Sequence, residues 1–489
     1  MPITGKHLIA GEWTQANAPW FSSIDPRTKT SGAAIFADAS AAEVDRAVSA
    51  AADAFAETRN YPAEKRAQFL EAVAAEIEAL GDELLQTCDA ESGLGLPRLT
   101  GERGRTTGQL RAFDAHIREG SYVEAIIDTA LPDRQPAPRP DIRRMLIPIG
   151  PVAVFAPNNF PLAFSVAGGD SASAFAAGCP VIAKGHPSHP ATSELIAQAI
   201  VRAIDTCGFP RGFFSLVQGA GIEVGQMLVK HPKLAAVGFT GSLRGGRAIF
   251  DTAVARSTPI PVYAEMGSIN PVVILPDALA TRHDALVQAI AGSVTLGSGQ
   301  FCTNPGLILL LDSAEAQAFV RAVAGAMQAQ APGILLNATV ESGLEQRVSQ
   351  TLGKTAVMLV AGGEVARGDS FCYANTVMQT SAAAFLADPD LQEEHFGPVT
   401  LFVMCESRAQ MKAVIAALAG NLTATVHASD AELDSAADLF DRLREISGRL
   451  ILNGVPTGVE VVHAMQHGGP YPASSVPNST SVGMTAIQR

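Results

Sequence analysis

Between residues 40 and 90 the apolar positions recur at three- and four-residue spacing: Val44, Ala47 and Val48, then Phe69, Leu70, Val73 and Ile77, and on to Leu84 and Leu85. That period follows one face of an α-helix, so it predicts long amphipathic helices at the start of the chain. From 121 to 147 the pattern changes to two β-like runs, Tyr122 to Ile127 and Arg143 to Ile149, separated by a Pro-rich stretch from Pro132 to Pro140. Together they predict a protruding hairpin of the kind that makes oligomer contacts. From Pro151 strand-like runs (Val152 to Ala156, Pro180 to Lys184, Phe213 to Gln218, Ala235 to Thr240, Val262 to Met266) alternate with helix-like segments (Ala167 to Ala177, Ile196 to Ile204, and one beginning near Ser242). This alternation predicts a parallel sheet with helices on its faces. A second α/β block is predicted from strands at Pro271 to Leu275, Leu307 to Leu311, Val399 to Val403 and Thr423 to Ala428. Residues Pro477 to Gln488 read as an edge strand offered to a neighbour. No internal repeat or low-complexity linker interrupts the pattern.

Length and charge narrow the class. The 489 residues exceed the roughly 250 to 300 at which a single core stops growing, so two large domains are expected. The balance of 47% hydrophobic to 17% charged residues is that of a folded α/β protein. A formal charge of −13 disfavours nucleic acid and anionic membrane as partners, because both reward positive charge. A small molecule or a second copy of the chain is the expected partner. The six cysteines, Cys88, Cys179, Cys207, Cys302, Cys372 and Cys405, form no CxxC pair and read as reduced thiols of a cytoplasmic protein. The first residues lack the pattern of an export signal. Apolar runs fall short of the roughly 20 residues a membrane helix needs.

Several short motifs carry candidate chemistry. Cys302 lies in Gly-Ser-Gly-Gln-Phe-Cys-Thr-Asn, a segment too rich in Gly for a helix interior and open to close approach by a ligand. Alone it reads more readily as a packed thiol. Glu265 ends a strand-like run before Met266 and Gly267, which puts its carboxylate at a strand's C-terminal mouth. Desolvation there would raise its pKa toward neutrality and suit it to act as a base; a solvated loop acid is the alternative. Pro157-Asn158-Asn159-Phe160-Pro161 sets two amides at another strand end, where an Asn N–H can hold an oxyanion or cap a turn. Lys184 closes a strand before Gly185-His186-Pro187-Ser188-His189-Pro190, a loop with no acid in it, and suits a ribose or phosphate. Phe239-Thr240-Gly241-Ser242 runs from strand into helix, an end that favours pyrophosphate. Gly219, Gly221 and Gly225 make only a loose likeness of a dinucleotide fingerprint. Glu393-Glu394-His395-Phe396-Gly397-Pro398 places an acid pair before a strand, where one carboxylate could hold a ribose diol. His186 with His189, and His463 with His467, have no Cys or carboxylate companions at ligand spacing, so no metal is expected. Walker A, GxSxG and HExxH motifs are absent.

Taken in order, Asn158-Asn159-Phe160-Pro161, Lys184, Phe239-Thr240-Gly241-Ser242, Glu265-Met266-Gly267, Gly299-Gln300-Phe301-Cys302 and Glu394-His395-Phe396-Gly397-Pro398 make the chain resemble the aldehyde dehydrogenase superfamily over nearly its whole length. The resemblance implies an α/β fold with a Rossmann-like cofactor domain (1–120 and 148–262), an α/β catalytic domain (263–470) and a small β oligomerisation element (121–147 and 471–489), assembled as a dimer or tetramer. It implies Cys302 as nucleophile, Glu265 as general base and Asn159 as oxyanion donor. Lys184, Ser188, Gly225, Gly241, Ser242, Met266, Glu394 and Phe396 would contact the cofactor, with Phe160 and Phe301 beside the substrate. Two positions depart from the family pattern: Asn158 stands where a bulky residue is usual, and Ser268-Ile269 replaces Gly-Lys. Many NAD-preferring relatives carry a Glu three residues beyond the lysine; Pro187 stands there, so NADP is the expected cofactor, with NAD the alternative.

The segment from Gly101 to Arg111 and the tail from Gly469 to Ser475 further resemble the α-ketoglutaric semialdehyde (2,5-dioxovalerate) dehydrogenases, a branch that is also similar to NADP-linked fatty-aldehyde dehydrogenases. A dioxovalerate carboxylate needs a cation, which Arg105 or Arg111 could supply; a solvated helix face is the commoner fate of such arginines. CoA-acylating relatives typically lack the base at Glu265, and a cysteine hydrolase would need a His placed by motif near Cys302.

Overall fold

The computed structural model of the chain describes residues 2–15, 19–366 and 368–489. The opening helices form as Ala41–Thr58, Ala63–Ala79, Gly81–Ser92 and Leu96–Glu119. Ser40 starts the first of them with a capping box: its hydroxyl accepts the Glu43 N–H while the Glu43 carboxylate accepts the Ser40 N–H. The predicted apolar stripe, Phe69, Leu70, Val73 and Ile77, is fully buried and shares one core with Phe175, Phe213 and Phe214 from the sheet side.

The alternating segments after Pro151 build a seven-stranded sheet in the order Val262–Glu265, Ala236–Thr240, Val152–Phe155, Val181–Lys184, Phe214–Val217, His7–Ile9, Glu12–Thr14. The first five run parallel and the N-terminal hairpin adds antiparallel to Phe214–Val217. That hairpin has three-residue strands, too short to show a period in sequence. Of the parallel strands Val152–Phe155 comes first in the chain, and later ones join it on both sides. The order therefore reverses at its carboxyl end, the place where open α/β sheets leave a ligand crevice.

The second sheet has the order Val357–Ala361, Thr376–Ser381, Val399–Cys405, Leu307–Leu311, Val272–Ile274, Asn421–His427, Ser447–Leu452. Only Val357–Ala361 runs antiparallel to its neighbour. Because Glu265 ends a strand of the first sheet, the change of sheet falls between 265 and 272 rather than at 263. The hairpin between 121 and 149 pairs Ile126–Asp128 with Ile142–Arg144, adds one bridge between Leu131 and Arg139, and exposes Ile126, Ile127, Leu131 and Ile142.

The C-terminal segment departs from expectation. No strand forms over 477–488; Met484–Gln488 is a 3₁₀ turn whose Met484, Ala486 and Ile487 enter the core of the opening helices. Arg489 pairs with the buried Asp170. Upstream, the Met266 N–H donates to Ala473 at 2.8 Å and the Ser475 N–H to Ala264 at 3.0 Å, so the tail closes over the edge of the first sheet. The Ser, Thr and Val of this stretch resemble a strand, whereas its apolar positions 482, 484 and 487 are spaced by two and three, as a tight turn buries them. Among the described residues no helix is long and apolar enough to cross a membrane.

Candidate active site

Cys302 is carried on a backbone that few sequences could adopt. Gly297, Ser298 and Gly299 take left-handed φ values of 55°, 58° and 66°. A Cβ on Gly299 would lie 2.0 Å from the Gly397 carbonyl oxygen, so the loop rests directly against the Phe396–Pro398 turn. Gly299→Ala is therefore expected to cost about 2–4 kcal/mol through left-handed strain and overpacking, read as a lowered denaturation midpoint together with lost activity. Asn270 ties the loop from the other side, its amide donating to the Cys302 and Asn304 carbonyls at 2.9 Å each. Asn270 is held in turn by the Ser268 and Thr423 hydroxyls, each donating to its Oδ1 at 2.9 Å.

Beside the sulfur stand two ionisable groups. His467 Nε2 lies 3.3 Å from Cys302 Sγ and 3.2 Å from Glu265 Oε1. Ser481 donates its hydroxyl to Glu265 Oε2. Burial pushes the Cys302 thiol well above its ordinary value, and the Glu265 carboxylate adds to the shift, with Arg105 opposing it. Burial also acts to raise the Glu265 pKa, but His467, Ser481 and Cys302 outweigh it and hold the carboxyl below its ordinary value. This corrects the expectation of a base raised toward neutrality: the hydrogen-bonded anion is favoured over its desolvation.

Asn159, on the turn leaving Val152–Phe155, donates one amide hydrogen to the Gln300 carbonyl at 3.0 Å, which leaves the second for an oxyanion. A cleft of about 460 Å³ runs outward from it, lined by Asn158, Asn159, Gly241, Ser242, Glu265, Met266, Gly267, Cys302, Glu394 and Phe396. The volume lies within the ordinary range for ligand sites. Ser242 caps the helix Leu243–Val254 by accepting the Gly245 N–H at 3.2 Å, which fixes a helix N-terminus at the cleft wall. Glu394 lies against Gly267, and burial raises its pKa to about 7. These groups fit a dinucleotide.

Three expected cofactor residues stand off the cleft. Gly225 faces the Phe155 ring, 3.0 Å from where a Cβ would sit, and serves packing. The Ser188 hydroxyl accepts from Asn337 Nδ2 at 2.9 Å in an adjoining cavity of about 420 Å³ that shares Asn158 and His186 with the cleft. Lys184 donates to the Gly219 carbonyl, and burial lowers its pKa to about 8. The loop after Lys184 holds no acid, but the fold brings one: Asp38 accepts the Ala220 and Gly221 N–H groups and its charge acts on Lys184.

Phe160, Phe164 and Val482 form a small apolar cluster joined by Phe301, the residue before Cys302, and by Val459, Val461 and Met465. The Phe160 and Phe301 rings meet edge to face at 5.1 Å, with the Arg98 guanidinium 4.9 Å from both centroids. Arg105 lies 5.2 Å from the Phe164 centroid, and its Nε and Nη2 are buried without a hydrogen-bond partner. Arg111 does not join this group, correcting its expected place at the substrate: it is paired with Glu71 and Glu78 of the neighbouring helix.

His467 and Asn270 were invisible as site residues because their companions come from other elements. Spacing gave His467 no ligand companions, yet Glu265, Cys302 and His467 place ligand atoms within 4.8 Å of one another. A hint was available in the Gly468-Gly469 pair after it: a Cβ on Gly469 would lie 2.1 Å from the Asn421 carbonyl, and such crowding marks a tightly fixed segment.

A ligand crevice at the switch point of a parallel sheet, closed at its inner end by a thiol beside a carboxylate, defines an α/β oxidoreductase whose cofactor meets a cysteine. Residues 13–475 match the aldehyde dehydrogenase family, and the chain belongs to that family, whose members oxidise aldehydes with NAD(P). It is 47% identical to "Alpha-ketoglutaric semialdehyde dehydrogenase 2" of Azospirillum brasilense, over 100% of this chain and 93% of that protein. It is 43% identical to "Alpha-ketoglutaric semialdehyde dehydrogenase" of Acinetobacter baylyi, over 99% and 92%. A solved betaine aldehyde dehydrogenase from Staphylococcus aureus shares the fold with a TM-score of 0.85 at 21% identity, over 99% of this chain and 93% of that one.

Proposed function

We propose that the chain oxidises α-ketoglutaric semialdehyde (2,5-dioxovalerate) to 2-oxoglutarate, with Cys302 as nucleophile, Glu265 as general base and Asn159 as oxyanion donor. The observation that carries the substrate reading is the Arg105 guanidinium, whose Nε and Nη2 are buried without a partner beside the Phe164 ring. A buried cation lacking a partner is costly, and a carboxylate at the far end of a short aldehyde would satisfy it. The two relatives at 47% and 43% identity, both named for this semialdehyde, support the same substrate. Specific activity across 2,5-dioxovalerate, succinic semialdehyde, glutaraldehyde and a long-chain aldehyde tests it. The dioxo acid should lead; a lead for the long-chain aldehyde would favour the apolar cluster as the specificity element instead.

In the reaction the Cys302 sulfur bonds to the aldehyde carbon, and the Asn159 amide and the Cys302 N–H hold the oxyanion. When bound, the nicotinamide supplies the hydride acceptor. Glu265, ionised at neutral pH, takes a proton from the water that attacks the Cys302 thioester, and the sulfur leaves as the acid forms. Glu265 also argues for water rather than CoA as acceptor.

We further read the pocket as accepting NADP in preference to NAD, because Lys184 is a buried cation and Pro187 leaves no acid in its loop. Asp38 limits that preference, since it would repel a 2′-phosphate. Asp38→Asn should raise the NADP to NAD ratio of kcat/KM by about 2- to 5-fold, the size of a partly screened single-charge contact. Initial rates with both cofactors check this, and a strong NAD preference in the unaltered enzyme would reject the reading. The exposed hairpin apolar residues support a homodimer or homotetramer, to be sized by light scattering.

A further inference from the structure

Cys302 is held under conditions that oppose its chemistry. Burial disfavours its anion, and so does the Glu265 carboxylate beside it. The thiolate, not the thiol, attacks an aldehyde, so the proton must have somewhere to go. Two bases touch the sulfur: the Glu265 carboxylate, read above as the base for the attacking water, and His467, whose Nε2 is 3.3 Å from Sγ.

That nitrogen stands between the sulfur and a carboxylate. Nε2 faces Sγ on one side and Glu265 Oε1 on the other, two groups that accept hydrogen bonds when charged. The ring is 1% exposed and its Nδ1 has no partner, so nothing else directs the imidazole. The tail fixes its place: the His467 N–H donates to Thr480 Oγ1 at 2.8 Å, and its carbonyl accepts the Ser481 N–H at 2.8 Å and hydroxyl at 3.0 Å. The same Ser481 hydroxyl reaches Glu265, so one segment sets both groups against the sulfur.

Resting on the reading of Cys302 as nucleophile, we propose that His467 is a catalytic residue that takes the Cys302 proton on Nε2, making a thiolate–imidazolium pair with Glu265 as its second counter-charge. The S–H bond breaks and an N–H bond forms with no change of oxidation state. The sulfur's freed electron pair then forms the bond to the aldehyde carbon. When the thioester is hydrolysed the electron pair returns to the sulfur and Nε2 gives the proton back. Glu265 remains free to take the proton of the attacking water. The other charges facing the pair are Arg105 and Arg449, which favour the thiolate, and Glu394, which opposes it; the Phe164 ring, 6.3 Å from the imidazole, is apolar.

The test is the pH dependence of iodoacetamide alkylation of Cys302 in the cofactor-free protein, followed by mass spectrometry of its peptide with a chelator present to exclude metal. In the unaltered protein alkylation should stay rapid at pH 7. In His467→Gln, which can donate hydrogen bonds but not take the proton, the midpoint should move up by at least one pH unit, with a fall at pH 7 on the order of 10-fold or more. The ultraviolet thiolate absorbance that distinguishes the unaltered protein from Cys302→Ala should fall with it. In His467→Ala, added imidazole should restore alkylation. Superimposable alkylation profiles for the unaltered protein and His467→Gln, with both folded by thermal melting, would overturn the proposal. Turnover surviving in Cys302→Ala would instead overturn the nucleophile reading beneath it.

Discussion

Replacing Arg105 with Ala is expected to lower kcat/KM for 2,5-dioxovalerate by about 30- to 1,000-fold, the effect of removing one partner from a desolvated charge pair. For a neutral aldehyde of similar length the change should stay within a few-fold. The contrast follows from what surrounds the guanidinium. Arg111, six residues further along the same helix, is already paired with both Glu71 and Glu78. Arg98 already donates to the Asn159 carbonyl at 2.7 Å. Arg105 alone of the three leaves two buried donor nitrogens open while its charge is felt at Cys302. Arg105→Lys should fall between, because it keeps the charge but loses the two-pronged geometry. The measurement is kcat/KM for the acid and neutral aldehydes in each variant. Equal losses for both would make Arg105 a structural residue, and no loss for either would remove it from the substrate site.

The sheet that holds the cofactor cleft could be read from the sequence because its strands are continuous apolar runs of four or five residues with helices of clear period between them. Val152–Phe155, Val181–Lys184 and Ala236–Thr240 each lie within one residue of the predicted run at the C-terminal end, which is where the site residues leave the sheet. The tail reads as a strand from its Ser, Thr and Val content, but Val482, Met484 and Ile487 follow at spacings of two and three that a 3₁₀ turn against a helical core satisfies. Electrostatics were harder still. Whether Glu265 sits above or below its ordinary pKa depends on whether a donor faces it, and those donors, His467 and Ser481, lie about two hundred residues away in the chain. Asp38 changes the field at Lys184 for the same reason. Local motifs place groups at strand ends; they do not say which distant groups those ends will meet.

Glu265→Gln is expected to reduce steady-state turnover by about 10²- to 10⁴-fold, the range for a lost general base, while one equivalent of reduced cofactor per site still appears in a burst. The amide keeps the shape and can still hold the Ser481 hydroxyl, but it cannot take a proton from water. The acyl group should therefore collect on Cys302 as a thioester, detectable as added mass on that peptide and released by hydroxylamine. The pH dependence carries the sign. Because His467 and Ser481 hold the Glu265 carboxyl below its ordinary value, the base stays ionised throughout the neutral range and is lost only on acidification through the depressed pKa. A decline in turnover of the unaltered enzyme between pH 8 and 6 would then belong to another group, and Glu394, whose burial raises its pKa to about 7, is the candidate. The burst decides between the two. If it persists in Glu265→Gln, the carboxylate serves hydrolysis and the thiol is ionised without it. If it disappears along with turnover, Glu265 is required to make the thiolate, and hydrolysis must draw its base from elsewhere in the site.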